Sequence, residues 1–307
     1  MKERITLPLV CCLLALTGLM AGCTVQNIPA PSKSSALESQ TTLSEREPAE
    51  KKQLPESPEE TLPAEKPLQD GTTTAIENAP AEKKELAPQQ SYDFSQPVPE
   101  SEPVDNSYFE DAAFIGDSRT DGFLIYSGIG CGENLTSNGL SIFKLAEKKA
   151  ITIDGTQYTL LEALKLKQYG KVYLSLGVNE LGYHNDQGFY DSYCQAIDMI
   201  RESQPNAVIY IQGLIPLNED VIAETGGSSY LKNDHLLVYN DLMKKAAEEK
   251  QVAFLDLNPA FVGEDGQLPR EASKDGIHLR KAYCEQWLEY LKTHTVSYET
   301  LYPEGNT

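Results

Sequence analysis

Three short strings in this 307-residue chain bring together residue types that could transfer an acyl group. Gly116-Asp117-Ser118-Arg119 follows the apolar run Ala112-Ala113-Phe114-Ile115. A serine at a strand-to-helix turn presents its hydroxyl beside the N–H groups that open the helix. Asp275-Gly276-Ile277-His278 sets a carboxylate three residues before an imidazole. At that spacing the Asp can hold one ring nitrogen and fix the tautomer, which leaves the other nitrogen to take a proton from a serine. Gly177-Val178-Asn179-Glu180 adds a neutral amide donor suited to a developing oxyanion. Each string alone has an ordinary reading: Gly-Asp-Ser and Gly-x-Asn are common in turns, and Asp-x-x-His is a helix cap followed by a surface His. Their joint placement on one predicted edge is what makes them candidates.

That placement depends on the elements around them. Short apolar runs at Ala112–Gly116, Lys171–Gly177, Ala207–Gly213 and Val252–Leu257 read as buried strands, and Leu135-Thr136-Ser137 reads as a weaker fifth. Between them, Phe189, Tyr193, Ile197 and Ile200 recur at helical spacing, as do Leu236, Tyr239, Met243 and Ala247. Tyr283, Trp287 and Leu291 mark a last helix. Each set places one apolar stripe on a helix. Strands alternating with helices predict an α/β fold, a three-layer α/β/α sandwich around a mostly parallel five-stranded sheet. Ligands of such sheets sit beyond the carboxyl ends of the strands, where the three strings fall.

The rest of the chain divides by composition. Met1-Lys2-Glu3-Arg4 is net positive, Ile5–Ala21 is almost wholly apolar, and small residues lead to Cys23. This predicts a signal peptide over 1–22. Residues 23–105 read as a disordered Pro/Glu/Lys-rich linker: 24–105 holds 12 of the 18 prolines and only two aromatics, Tyr92 and Phe94. Such a stretch buries too little apolar surface to offset its ordering entropy. As a flexible coil it would reach about 50 Å. The body is then expected to be a catalytic domain over 106–307. The net charge of −20 argues against nucleic acid as a partner, since phosphate recognition needs a cationic face. No CxxC pair and no Gly-rich phosphate loop occur, so neither a metal site nor a nucleotide or other cofactor is expected.

Two resemblances add to this reading. Met20-Ala21-Gly22-Cys23 resembles the bacterial lipobox, with Met20 in place of Leu. It implies lipidation of Cys23, membrane attachment through the lipidated N-terminus and an extracytoplasmic, lipid-anchored location, since several acyl chains hold a protein stably on a bilayer. The order of the three strings resembles the GDSL/SGNH hydrolase family over about residues 108–295, whose sheet is flavodoxin-like. The resemblance implies Ser118 as nucleophile, with Asp275 and His278 completing a triad. It implies an oxyanion hole from the Ser118 and Gly139 N–H groups and the Asn179 amide. The glycine is the loosest match, because Gly130 and Gly132 lie nearby. Two departures stand out: Arg119 replaces the usual Leu and is expected to bias the pocket toward polar substrates, and Glu180 replaces the usual Asp after Asn179.

These residues lead to a serine ester hydrolase acting by acyl-enzyme chemistry on a small acyl ester or an acylated glycan. The alternatives are an O-acyltransferase using the same serine and a non-catalytic lipoprotein that binds glycan or a partner. Asp117 is expected to hold its turn by hydrogen bonds. His184 is expected in a surface loop, and His235 and His294 on helix surfaces. Tyr126, Tyr183 and Tyr190 could stack on sugar, with a core role expected instead. Cys131, Cys194 and Cys284 are expected to be buried thiols without a nucleophilic role.

Overall fold

The computed structural model describes residues 91–303. The expected signal peptide, the lipidation site Cys23 and the linker up to residue 90 lie outside the described residues.

Five strands form one parallel sheet: β1 (Ala112–Gly116), β2 (Glu133–Thr136), β5 (Lys171–Ser175), β6 (Val208–Gln212) and β7 (Ala253–Leu255). Their spatial order is β2-β1-β5-β6-β7. Counted along the main sheet alone this is order 2-1-3-4-5, the flavodoxin-like winding. A separate antiparallel hairpin, β3 (Ile151–Ile153) and β4 (Thr156–Tyr158), turns through Asp154-Gly155. Both turn residues have positive φ, as the tight hairpin requires.

Successive side chains of the strands point to opposite faces, so each strand feeds two cores. On one face Ala113, Ile115, Val172, Leu174, Ile209, Ile211 and Phe254 pack with α2 (Leu160–Leu164), α3 (Asp186–Ser203) and α5 (Asn233–Lys250). The stripes Phe189, Tyr193, Ile197, Ile200 and Leu236, Tyr239, Met243, Ala247 are fully buried there. On the other face Ala112, Phe114, Tyr173, Val208, Tyr210 and Leu255 pack with α1 (Ser118–Tyr126) and α7 (Lys281–Thr293). Phe114, Tyr173 and Tyr210 stack across three strands, with centroids 4.8 and 4.6 Å apart. Short helices α4 (Glu219–Glu224), α6 (Asn258–Phe261) and α8 (Tyr298–Leu301) complete the described part. Among the described residues no helix is long and apolar enough to cross a membrane.

Residues 91–105, expected as part of the linker, pack against the body of the domain. Val98 is buried and its N–H donates to Phe254 O at 2.8 Å, along the edge strand β7. Ser101 N–H and Val104 N–H donate to Thr293 O and Lys292 O at 2.6 and 3.1 Å. They satisfy carbonyls that the end of α7 leaves without helical partners. Tyr92, Phe94 and Val104 pack on the same core. Proline content hides this segment, because its few apolar residues have no regular period, yet they suffice to dock it.

Candidate active site

Register brings the candidate residues together. Gly116 of β1 is level with Thr136 of β2 on one side and Ser175 of β5 on the other. The chain therefore leaves three adjacent strands at one edge, toward Ser118, Gly139 and Asn179 respectively. This is the point where the winding order reverses, and such crevices bind ligands.

Ser118 is the first residue of α1, and Asp117 caps that helix by accepting Arg119 N–H at 2.9 Å. The Ser118 hydroxyl lies 2.8 Å from His278 Nε2. His278 Nδ1 lies 2.7 Å from Asp275 Oδ2. The sequence strings thus form one chain of hydrogen bonds, and its direction fixes Nδ1 as the donor to the carboxylate. Burial alone would raise the Asp275 carboxyl. The hydrogen bonds from the His278 ring and from the backbone N–H groups of His278 and Ile277 outweigh it and hold it down at about 2. The carboxylate therefore stays ionised beside the imidazole across neutral pH.

The loop carrying Asp275 and His278 is closed at its neck by Arg280 N–H to Ala272 O at 2.8 Å and by a bridge between Ser273 and Leu279. The buried Ser273 Oγ lies 3.0 Å from Asp275 Oδ1 and 2.8 Å from His278 O. Gly276, at φ +81°, lets the chain bend between the two residues, and a Cβ there would collide with Asn218 O. Asn218 is a hub: its N–H donates to Gly276 O, its amide to Leu268 O, and its Oδ1 accepts Val221 N–H to cap α4. Neither Ser273 nor Asn218 was expected from sequence. A helix-cap pattern ahead of Glu219-Asp220 was the only available signal for Asn218.

The turn Ser137–Leu140 closes through Leu140 N–H to Ser137 O at 3.0 Å, and Gly139 takes φ +68° within it. Ser137 N–H donates to Gly116 O, which ties the turn to β1. The N–H groups of Ser118 and Gly139 have no hydrogen-bond partner among the described residues. Asn179 differs from expectation. Its amide nitrogen donates to Asp117 Oδ2 at 2.9 Å and to Leu140 O at 3.0 Å, so both amide hydrogens are engaged. It can reach an oxyanion only by exchanging one of these bonds; meanwhile it fixes the turn that presents Gly139.

Asp117 holds its turn as expected. Burial raises its carboxyl, against the hydrogen bond from Arg119 N–H. Arg119 is corrected: its side chain is buried and Nη1 donates to Ile215 O at 2.9 Å, so it packs below the site and does not line a substrate pocket. Burial lowers its guanidinium to about 10, against the pull of Asp117 and Asp275. Glu180 is fully buried, and its Oε1 accepts Ile142 N–H.

Tyr190 is buried as expected, but Tyr126 and Tyr183 are exposed. Tyr183 meets Phe143 edge-on at 5.6 Å. His184 lies in an exposed loop as expected. His235 lies half-buried on α5, where its ring bonds to Leu181 O and Asp186 Oδ1, each at 2.9 Å, and His294 is half-buried against Tyr290. Of the three thiols only Cys284 is fully buried; Cys131 and Cys194 are half-buried. Burial raises all three, which disfavours the reactive thiolate.

The GDSL-like Lipase/Acylhydrolase family model matches residues 114–282, more than half of the chain. This chain belongs to that family. Over 120 residues, 38% of this chain and 49% of the yeast protein, the chain is 29% identical to the isoamyl acetate-hydrolyzing esterase of Saccharomyces cerevisiae. The chain therefore spans about half the length of that curated relative. Among solved structures, a GDSL-like lipase from Bacteroides thetaiotaomicron is 14% identical with a TM-score of 0.43, covering 61% of this chain and 88% of that one. A peptidoglycan O-acetylesterase is 18% identical with a TM-score of 0.41, covering 53% and 45%.

Proposed function

We propose that this GDSL-like protein is an extracytoplasmic serine esterase that removes acetyl or other short acyl groups from carbohydrate. The observation that carries the reading is the unbroken Ser118–His278–Asp275 hydrogen-bond chain, at 2.8 and 2.7 Å, beside the Ser118 and Gly139 N–H groups, which have no partner among the described residues. On this reading the Ser118 hydroxyl attacks the ester carbonyl as its proton passes to His278 Nε2. The Asp275 carboxylate steadies the imidazolium that forms. The Ser118 and Gly139 N–H groups receive the carbonyl oxygen as it becomes anionic. The tetrahedral species collapses, His278 returns the proton to the leaving alcohol, and the acyl group remains on Ser118. Water, deprotonated by His278, then releases the acid.

The His278 and Asp275 side chains are 47% and 44% exposed, which favours hydrolysis over transfer, because water reaches the base freely. The open site also suits a bulky alcohol such as a sugar. The name of the yeast relative carries an acetate ester, which supports a short acyl group. The lipobox-like string at Cys23 and the proline-rich segment behind it support a head held away from a membrane.

Fluorophosphonate labelling of wild type and Ser118→Ala tests the nucleophile, and p-nitrophenyl esters from acetate to palmitate test acyl length. Ser118 labelling and fastest turnover of acetate are expected. Labelling that persists in Ser118→Ala, or a preference for palmitate, sinks the reading.

A further inference from the structure

Glu180 follows Asn179 and is fully buried, yet no Lys, Arg or His bonds to either of its oxygens among the described residues. Burying a carboxyl without a cation is unfavourable unless hydrogen bonds compensate. Oε1 accepts the N–H of Ile142, and the neighbouring Ser141 side chain also favours the ionised form. Oε2 is buried without a partner.

The placement of that bond matters. Asn179 and Glu180, adjacent in the chain, grip one segment at two points, Leu140 O and Ile142 N–H. Directly upstream lies Gly139, whose N–H has no partner among the described residues. The other end of the turn is tied by Ser137 N–H to Gly116 O at 3.1 Å. Glu180 is in turn fixed from behind, since the Tyr239 hydroxyl donates to its carbonyl at 3.0 Å.

We propose that Glu180 is a positioning residue for the oxyanion turn, holding Ile142 so that the Gly139 N–H stays aimed at the reacting carbonyl. This rests on the reading of Ser118 as the acyl-accepting nucleophile. The carboxyl does not touch substrate; it acts through the 139–142 backbone. A donor aimed at the developing charge must be held before reaction, because reorganising it during the step raises the barrier.

The choice of a carboxyl has a consequence. The titratable groups facing it are Asp117 from the turn after β1, Tyr193 from α3 and Tyr239 from α5. Burial raises Glu180 to about 7; the Ile142 N–H bond opposes this and the Asp117 charge adds to it. Below that range the group is neutral. Above it, ionisation adds a buried negative charge beside the segment that carries Gly139. The turn therefore works best with Glu180 protonated, and kcat is expected to decline as pH rises through this range. The Glu180→Gln substitution would keep an acceptor for Ile142 N–H and carry no charge at any pH.

The test measures kcat and KM for p-nitrophenyl acetate from pH 5 to 9, with the full chain as wild type, Glu180→Gln and Glu180→Ala. Fluorophosphonate labelling rate and thermal midpoint are followed alongside. Glu180→Gln is expected to keep kcat at pH 6 within about threefold and to lose the alkaline decline. Glu180→Ala is expected to lower kcat by about 10–100-fold with KM within about twofold, because a transition-state contact is impaired and ground-state binding is not. Should Glu180→Ala fail to fold, the Glu180→Gln profile decides alone: an unchanged alkaline limb overturns the proposal. Wild-type kcat in a folded Glu180→Ala overturns the positioning role alone. A wild type that neither turns over ester nor labels at Ser118 overturns both this and the esterase reading.

Discussion

Asp275 meets the His278 ring through one carboxylate oxygen and the backbone through the other. Oδ2 meets the His278 ring at 2.7 Å, while Oδ1 accepts the N–H groups of Ile277 and His278, each at 2.9 Å. Its folded carboxyl, at about 2, lies below the usual value near 3.9. A depressed carboxylate adds stability that is present above its unfolded value and is lost as pH falls through the folded one. Asp275→Asn is therefore expected to lower the melting temperature at pH 7 and to leave it nearly unchanged at pH 2. The shift is modest, because the side chain is 44% exposed and screened by solvent. Activity is more sensitive: loss of the correct His tautomer is expected to reduce kcat on the order of 10³-fold or more. Thermal scans at the two pH values and ester kinetics at pH 7 measure both. An equal melting loss at pH 2 would place the stabilisation elsewhere.

At the scale of elements, the site is an assembly of turns held by carbonyls and caps. Asn218 couples the loop after β6 to the triad loop, since its N–H holds Gly276 O at 2.9 Å and its Oδ1 caps α4. Asn218→Ala is expected to cost about 1 kcal/mol for the cap and about 1–2 kcal/mol more for the buried Leu268 carbonyl left without its donor. The Ala variant keeps the backbone N–H that holds Gly276 O, so kcat and KM are expected to stay near wild type while stability falls. Denaturant unfolding and steady-state kinetics check the two expectations; a sharp fall in kcat would show that the Asn218 side chain, and not its N–H alone, positions the loop of Asp275 and His278. Among the elements not expected from sequence are the hairpin Ile151–Tyr158 and helix α2. Both carried signals: Asp154-Gly155 between alternating residues, and the capping box of Thr159 with Glu162. Each element is only three to five residues long, too short for periodicity to separate from loop.

At the scale of the whole molecule, the segment from 91 to 105 packs against the domain that the family model matches. It covers part of the β7 edge through Val98, and it satisfies the end of α7 through Ser101 and Val104. A chain beginning at 106 is expected to lose about 3 kcal/mol relative to one beginning at 91, or about 6–12 °C in melting temperature. Ester turnover at low temperature should survive, because the triad lies at the carboxyl edge and the segment docks on β7 and α7. Differential scanning calorimetry of the two chains measures this, and equal midpoints would reduce the docking to a passive contact.

The sequence by itself determined the five parallel strands, the buried helix stripes and the three strings that carry Ser118, Asn179, Asp275 and His278. These follow from side-chain period and local spacing, which are properties of neighbours along the chain. The tertiary structure alone decided which way Arg119 faces, that both hydrogens of the Asn179 amide are already engaged, and that Glu180 grips Ile142. Those depend on strand register and on atoms dozens of residues away. Buried polar groups take whatever partner the packed backbone offers, and no local pattern encodes that partner. The docking of residues 91–105 has the same origin: composition reports how much apolar surface a segment has, and only the fold shows where it can be buried.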